Sequence, residues 1–246
     1  MRGRLRQILV AFLAAGSGAA SAWANGTDDL TAGLAEWRRG HADEAVRLFT
    51  RAIEDGNLSK ANQVLARMSR ATALQSGGAY EEAIADYDTA IRLQPVPSLY
   101  HQRGVAYLAW GRLEDASEDF AQALALQRSN AHFALWLHVA RLRAGAEDKR
   151  EMMGNLARID AGKWPGPLLA HLAGRETLEA AELAAQSPDP AAGPERRCDM
   201  AYFLGEQRLS DGDPESLRLL REARDICAPE SPERTLARAA LLRGGR

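Results

Sequence analysis

Three stretches of the chain carry nearly the same pattern: GHADEAVRLFTRAIE (residues 40–54), GGAYEEAIADYDTAIRLQP (77–95) and GRLEDASEDFAQALALQ (111–127). They come into register on Ala45, Ala83 and Ala116. Four residues after each Ala stands an aromatic, Phe49, Tyr87 or Phe120, and seven after it another alanine, Ala52, Ala90 or Ala123. Five before each is a glycine, Gly40, Gly78 or Gly111, and twelve before each a small residue, Gly33, Ala71 or Gly104. A period of this length restricts the fold more than any other feature of the sequence, because each unit must pack on its neighbours.

The spacing predicts two antiparallel helices per unit, joined by a tight turn. The glycine ends the first helix where the backbone needs a positive φ. Small residues let the two helices approach, and the aromatic shares a face with the central Ala one turn earlier. One such hairpin cannot bury its apolar face alone, so hairpins stack. The fold class expected is all-α: a solenoid of stacked helix-turn-helix hairpins with a C-terminal capping helix.

The pattern resembles the tetratricopeptide repeat. The third copy carries Tyr100, Gly104, Tyr107, Gly111, Ala116, Phe120 and Ala123 in the family's places; the second carries Leu74, Gly78, Tyr80, Ala83, Tyr87, Ala90 and Pro95. The units are placed near 26–59, 64–97 and 97–130. Within them Arg70 precedes Asp86 by 16 residues and Arg103 precedes Asp119 by 16. These are read as ion pairs between first and second helices, in preference to catalytic or ligand-binding charges.

Residues 1–24 carry Arg2, Arg4 and Arg6, an apolar run and Ala22-Trp23-Ala24. This is the three-part layout of a secretory signal peptide, and the run is too short to span a bilayer comfortably. The alternative is a retained anchor helix. An exported, periplasmic chain starting at Asn25 is expected, with no cysteine after the apolar run to carry a lipid. Without this segment the formal charge goes from −2 to −5, which gives no field favouring nucleic acid or an anionic membrane.

Beyond residue 130 the helical pattern continues to 186. Asn130 caps an almost wholly apolar helix ending near Gly145, a second helix runs over about 147–159, and short helices cover 168–172 and 177–185. Residues 187–197 read as a Pro/Gly-rich loop. From Cys198 to Cys227 a divergent hairpin returns, with Leu204-Gly205, a turn at Gly212, and Ser216, Leu220 and Ala223 on its second helix. Antiparallel register brings Cys198 and Cys227 together, so a disulfide is expected, on the order of 3 kcal/mol in stabilisation; two separate buried thiols are the alternative. Ser231-Pro232 then starts a capping helix.

The repeats, ALWLHVA, WPGPLLAHLAG and AYFLGE together resemble the NlpI-type bacterial repeat proteins. That resemblance implies a periplasm-facing homodimeric adaptor that brings a C-terminal processing protease and murein endopeptidases together.

No catalytic residues, metal site or cofactor are expected. H-E-x-x-H, C-x-x-C and G-x-S-x-G are absent. His132 and His138 lie about 240° apart around one helix and so are expected on different faces. Trp110, Trp136 and Trp164 are read as core rather than as a stacking set. What remains is a concave groove lined by first helices, with Met68, Thr72 and Gln75 from the second unit and His101, Val105 and Leu108 from the third. It suits an apolar helix or peptide from an envelope protein, or the chain's own C-terminal helices. Rival functions are a homodimeric scaffold without a hydrolase client, and an enzyme.

Overall fold

The computed structural model describes residues 25–146, 149–186, 189 and 191–244; the expected signal peptide lies outside them. The described chain is all-α. Its helices are α1 Gly26–Arg38, α2 Ala42–Glu54, α3 Lys60–Ser76, α4 Tyr80–Leu93, α5 Pro97–Trp110, α6 Leu113–Leu126, α7 Ala131–Arg143, α8 Lys149–Leu156, α9 Gly166–Leu172, α10 Leu178–Ala185, α11 Gly193–Ser210, α12 Glu215–Ile226 and α13 Pro232–Gly244. Helices α1/α2, α3/α4, α5/α6 and α11/α12 form the tightest pairs; the first hairpin packs on the second, the second on the third, and the third on α7.

Local chemistry accounts for the hairpins. Asn25 caps α1, its side chain accepting from the backbone N–H groups of Thr27 and Asp28 at 3.0 Å each. Gly40, Gly78 and Gly111 turn the chain at φ of 82°, 82° and 87°, a conformation that other residues adopt only with strain. Ala45, Ala83 and Ala116 are fully buried, as are Phe49, Tyr87 and Phe120. The Phe49 and Phe120 rings lie on the glycines of the partner helix. A methyl added to Gly33 would stand 2.6 Å from the Phe49 ring, and one on Gly104 would stand 2.8 Å from Phe120. Each such ring contributes about 2–3 kcal/mol of burial, and the missing Cβ is what lets it approach the facing helix so closely. In α11/α12, Gly205 and Leu220 repeat the arrangement with an aliphatic side chain.

The core falls into three clusters. One centres on the first hairpin around Leu30 and Phe49 and takes in Leu58 and Ala66 on the way into α3, and one lies around Tyr87 and Leu99. The largest joins the third hairpin to α7, α8, α9 and the last three helices, through Phe120, Trp136, Met152, Leu168, Tyr202, Phe203, Leu220 and Leu236. An aromatic chain runs through its centre, with Phe120 to Trp136 at 5.7 Å, Trp136 to Phe203 at 5.3 Å and Phe203 to Tyr202 at 5.1 Å.

The loop expected over 187–197 is shorter: α11 begins at Gly193, five residues before Cys198. Pro194 occupies its first turn, where a missing N–H breaks no intrahelical bond. The helix expected over 147–159 is described from Lys149 and ends at Leu156.

Candidate binding groove

The six groove residues divide into two environments. Met68, Thr72 and Gln75 on α3 are partly exposed. The Thr72 hydroxyl donates to the Met68 carbonyl at 3.0 Å and lies 3.0 Å from the Tyr87 hydroxyl. Leu34 and Trp37 on α1 and Leu65 on α3 continue this neutral, half-covered surface.

Val105 and Leu108 on α5 are instead 3% and 2% exposed. They are core residues, not an open surface, because α13 packs on α5 and α11 packs on α7. The C-terminal helices thus pack against the third hairpin, and their contacts with earlier elements reach α5, α7, α9 and α10. His101 has its ring among Phe120, Phe133 and Trp136 at 5.3–5.7 Å. Burial, with the nearby His132, pushes its pKa down to about 3, so it is a neutral, half-buried ring in the seam.

The seam between α7, α11 and α13 is polar where it is deepest. Asp199, 2% exposed, accepts from the Trp164 indole at 2.8 Å and lies 3.1 Å from His132 Nε2. Burial pulls the His132 imidazole down, but the Asp199 carboxylate outweighs it, and the pKa sits above the ordinary value. Glu233, on α13, is pushed up to about 7 by burial, with Asp199 adding to the effect. His138 reaches Gln207 on α11 at 2.9 Å. The two histidines of α7 therefore both contact one helix, because α11 lies between the faces that their spacing separates.

At the other end of the seam Arg143 makes a bidentate contact with the buried Glu206 and lies 3.3 Å from the Tyr202 hydroxyl. Arg243 approaches the same carboxylate at 3.4 Å. A cleft of about 420 Å³ opens here between the end of α5, α7, α11 and α13. Trp110 lies on its rim, 42% exposed and stacked at 6.5 Å on Tyr80. It is therefore not the core residue expected, whereas Trp136 is buried and Trp164 is half-buried against Asp199.

The repeated charges form a ladder. Arg70 binds Asp86 through two nitrogens at 2.6 and 2.7 Å, and Arg103 binds Asp119 at 2.8 and 2.7 Å. Each arginine also reaches back to the second helix of the preceding hairpin. Arg70 donates to Thr50 at 3.0 Å and Arg103 to Asp88. Thr50 and Asp88 both stand five residues after the central Ala, so the contacts are equivalent. Each guanidinium ties three helices and fixes the rotation of one hairpin on the next. Burial raises the Asp119 carboxyl, and Arg103 only partly offsets it, so the pair sets geometry more than it adds stability.

Cys198 and Cys227 are joined by a disulfide with Cα atoms 5.0 Å apart. It ties the start of the last hairpin to its end. Among the described residues there is no cluster of metal-ligating side chains and no helix long and apolar enough to cross a membrane.

Comparison with known families agrees with this geometry where the repeats are most regular. The family model described as tetratricopeptide repeat matches residues 66–97 and 97–130, which are α3/α4 and α5/α6. No curated protein matches the chain. The chain thus carries tetratricopeptide repeats in an all-α solenoid.

Proposed function

We propose that this chain is an exported, non-catalytic adaptor of the NlpI type, which holds envelope proteins and acts by bringing them together. The observation that carries this is the division of the inner face. The C-terminal helices close it over α5 and α7, while α1 and α3 present a neutral, half-exposed stripe that includes Met68, Thr72 and Gln75. A stripe of this kind suits the apolar face of a helix or an extended peptide. Two bound clients share a high effective concentration, which raises the rate of their encounter without any chemistry in the adaptor. The clients that the sequence resemblance points to are a C-terminal processing protease and murein endopeptidases, met in the periplasm, with the adaptor as a homodimer.

Crosslinking of the exported protein in cells, followed by identification of the captured chains, tests this. Capture of a processing protease or a murein hydrolase is expected. Crosslinks to itself alone would replace the adaptor with a self-assembling scaffold. Turnover of a substrate by the purified chain without partners would replace it with an enzyme.

A further inference from the structure

The cleft at the C-terminal end of the seam is apolar on its walls and electrically unbalanced. Its walls include Leu113, Leu142 and Leu209, with the exposed Trp110 on the rim. Among the described residues, the charged groups lining it are Arg143, Arg243 and Glu206. Glu206 is 2% exposed and engaged by Arg143, whose side chain is 9% exposed. That pair is closed: its carboxylate already takes a bidentate guanidinium. Arg243 meets the same carboxylate only at 3.4–3.5 Å and keeps 46% of its side chain exposed. Among the described residues one carboxylate thus serves two guanidinium groups, and a positive charge is left at the mouth of the cleft. Burial and the charge of Arg143 hold the Arg243 pKa below the usual guanidinium value, as expected of a cation short of counter-charge. Arg112 beside Trp110 adds no such deficit, since Asp115 accepts from it at 2.7 Å.

We infer that this cleft is a docking site for a peptide segment of a partner protein that carries a large apolar side chain close to a carboxylate. The apolar side chain enters between Leu142 and Leu209 under Trp110, and the carboxylate pairs with Arg243. Arginine presents a fork that a carboxylate fills with two hydrogen bonds. Burial of an aromatic or aliphatic anchor beside such a pair is the usual composition of a binding hot spot. The site rests on the proposal that the chain binds proteins, and it adds the chemistry of the segment bound. It lies apart from the half-exposed stripe on α1 and α3.

The test uses the full-length purified protein and a panel of fluorescent octapeptides. Each carries one Leu, Phe or Trp and, one to four positions away, Glu, Gln or Lys. At one or more spacings the Glu peptide is expected to bind at least fivefold more tightly than its Gln counterpart, with the Lys peptide weakest. Arg243→Gln should abolish the Glu-over-Gln preference, and Trp110→Ala should weaken every apolar peptide. Both side chains are substantially exposed, so circular dichroism should show folded variants. Arg112→Gln should leave the preference intact. Equal binding of Glu and Gln peptides at all spacings, or a preference that survives Arg243→Gln, would overturn the assignment. So would displacement of every peptide by dodecanoate with no Glu preference, which would make the cleft a lipid site. Failure of the adaptor in cells is a separate result, read from missing clients, and does not alter the peptide preference measured in solution.

Discussion

Gly104→Ala and Gly154→Ala are the same chemical change placed in two environments, and the fold predicts opposite signs. In a helix interior, alanine in place of glycine stabilises by about 0.5–1 kcal/mol through reduced backbone freedom. Gly154, on the exposed side of α8, has nothing within 4 Å of an added Cβ. It lies third from the end of its helix, so a gain of a few tenths up to about 1 kcal/mol is expected. At Gly104 the new methyl would stand 2.8, 3.0 and 3.1 Å from three atoms of the Phe120 ring. That ring is fully buried, and His101 and Trp136 each lie 5.7 Å from it. It has no room to retreat, so α5 and α6 must separate. Overpacking of this kind costs about 1–3 kcal/mol. The propensity gains at the two sites differ by only a few tenths of a kcal/mol, so their difference is mainly the packing term, expected at about 1–3 kcal/mol. Urea unfolding followed by circular dichroism measures it, with midpoints compared at unchanged slope. Gly33→Ala, 2.6 Å from Phe49, should behave like Gly104→Ala. If Gly104→Ala stabilises as much as Gly154→Ala, then α5 and α6 are not packed as closely as described.

Three further outcomes follow from the seam and the ladder. Replacing Cys198 and Cys227 by serine opens a loop of 29 residues; by loop entropy this costs about 3.6 kcal/mol. For a chain of this size it lowers Tm by roughly 7–14 °C, and an unchanged Tm in a calorimetric scan would contradict it. The Glu233 carboxyl, raised from 4.5 to about 7, keeps its proton in the folded state over a range where the unfolded chain has lost it. Stability therefore falls as pH rises from about 4.5 to 7, by at most about 3 kcal/mol. Glu233→Gln should remove that fall, whereas His101→Gln should remove the opposite loss as pH drops from 6.5 toward 3. Unfolding midpoints of the two variants across pH 4–8 check both signs. Arg103→Met leaves Asp119 and Asp88 without their guanidinium partner. It should cost about 3 kcal/mol, most of which Asp119→Asn in the same chain should return; additive losses in that double-mutant cycle would show that the pair is not coupled.

How much of this was legible in the sequence depended on the range of the contacts. The hairpins could be read because their determinants repeat locally: Gly78 at the turn, Ala83 between the helices and Tyr87 one turn on all act within one unit. The charges at 16-residue spacing could be read for the same reason, but their second contacts, to Thr50 and Asp88, appear only once hairpins are stacked. The register of Val105 and Leu108 on the inner face of α5 could also be read. Their burial could not, because the core cluster they join draws on helices as far along the chain as α13. Arg143 with Glu206 and His132 with Asp199 join residues 63 and 67 apart, where no periodic signal links partners. Pro194 misled for a different reason: proline breaks a helix interior but suits a first turn, and its neighbours gave no cap to tell the two apart.

The central claim is that the chain binds clients on the inner face that its own helices leave uncovered. A photo-crosslinking residue placed at Gln75, on that face, and separately at Arg92, on the exposed side of α4, tests it most directly in cells producing the exported chain. Adducts with other proteins at position 75 and none at 92 are the result predicted. Equal yields at the two positions, or none at 75 while the folded chain is present, would contradict it.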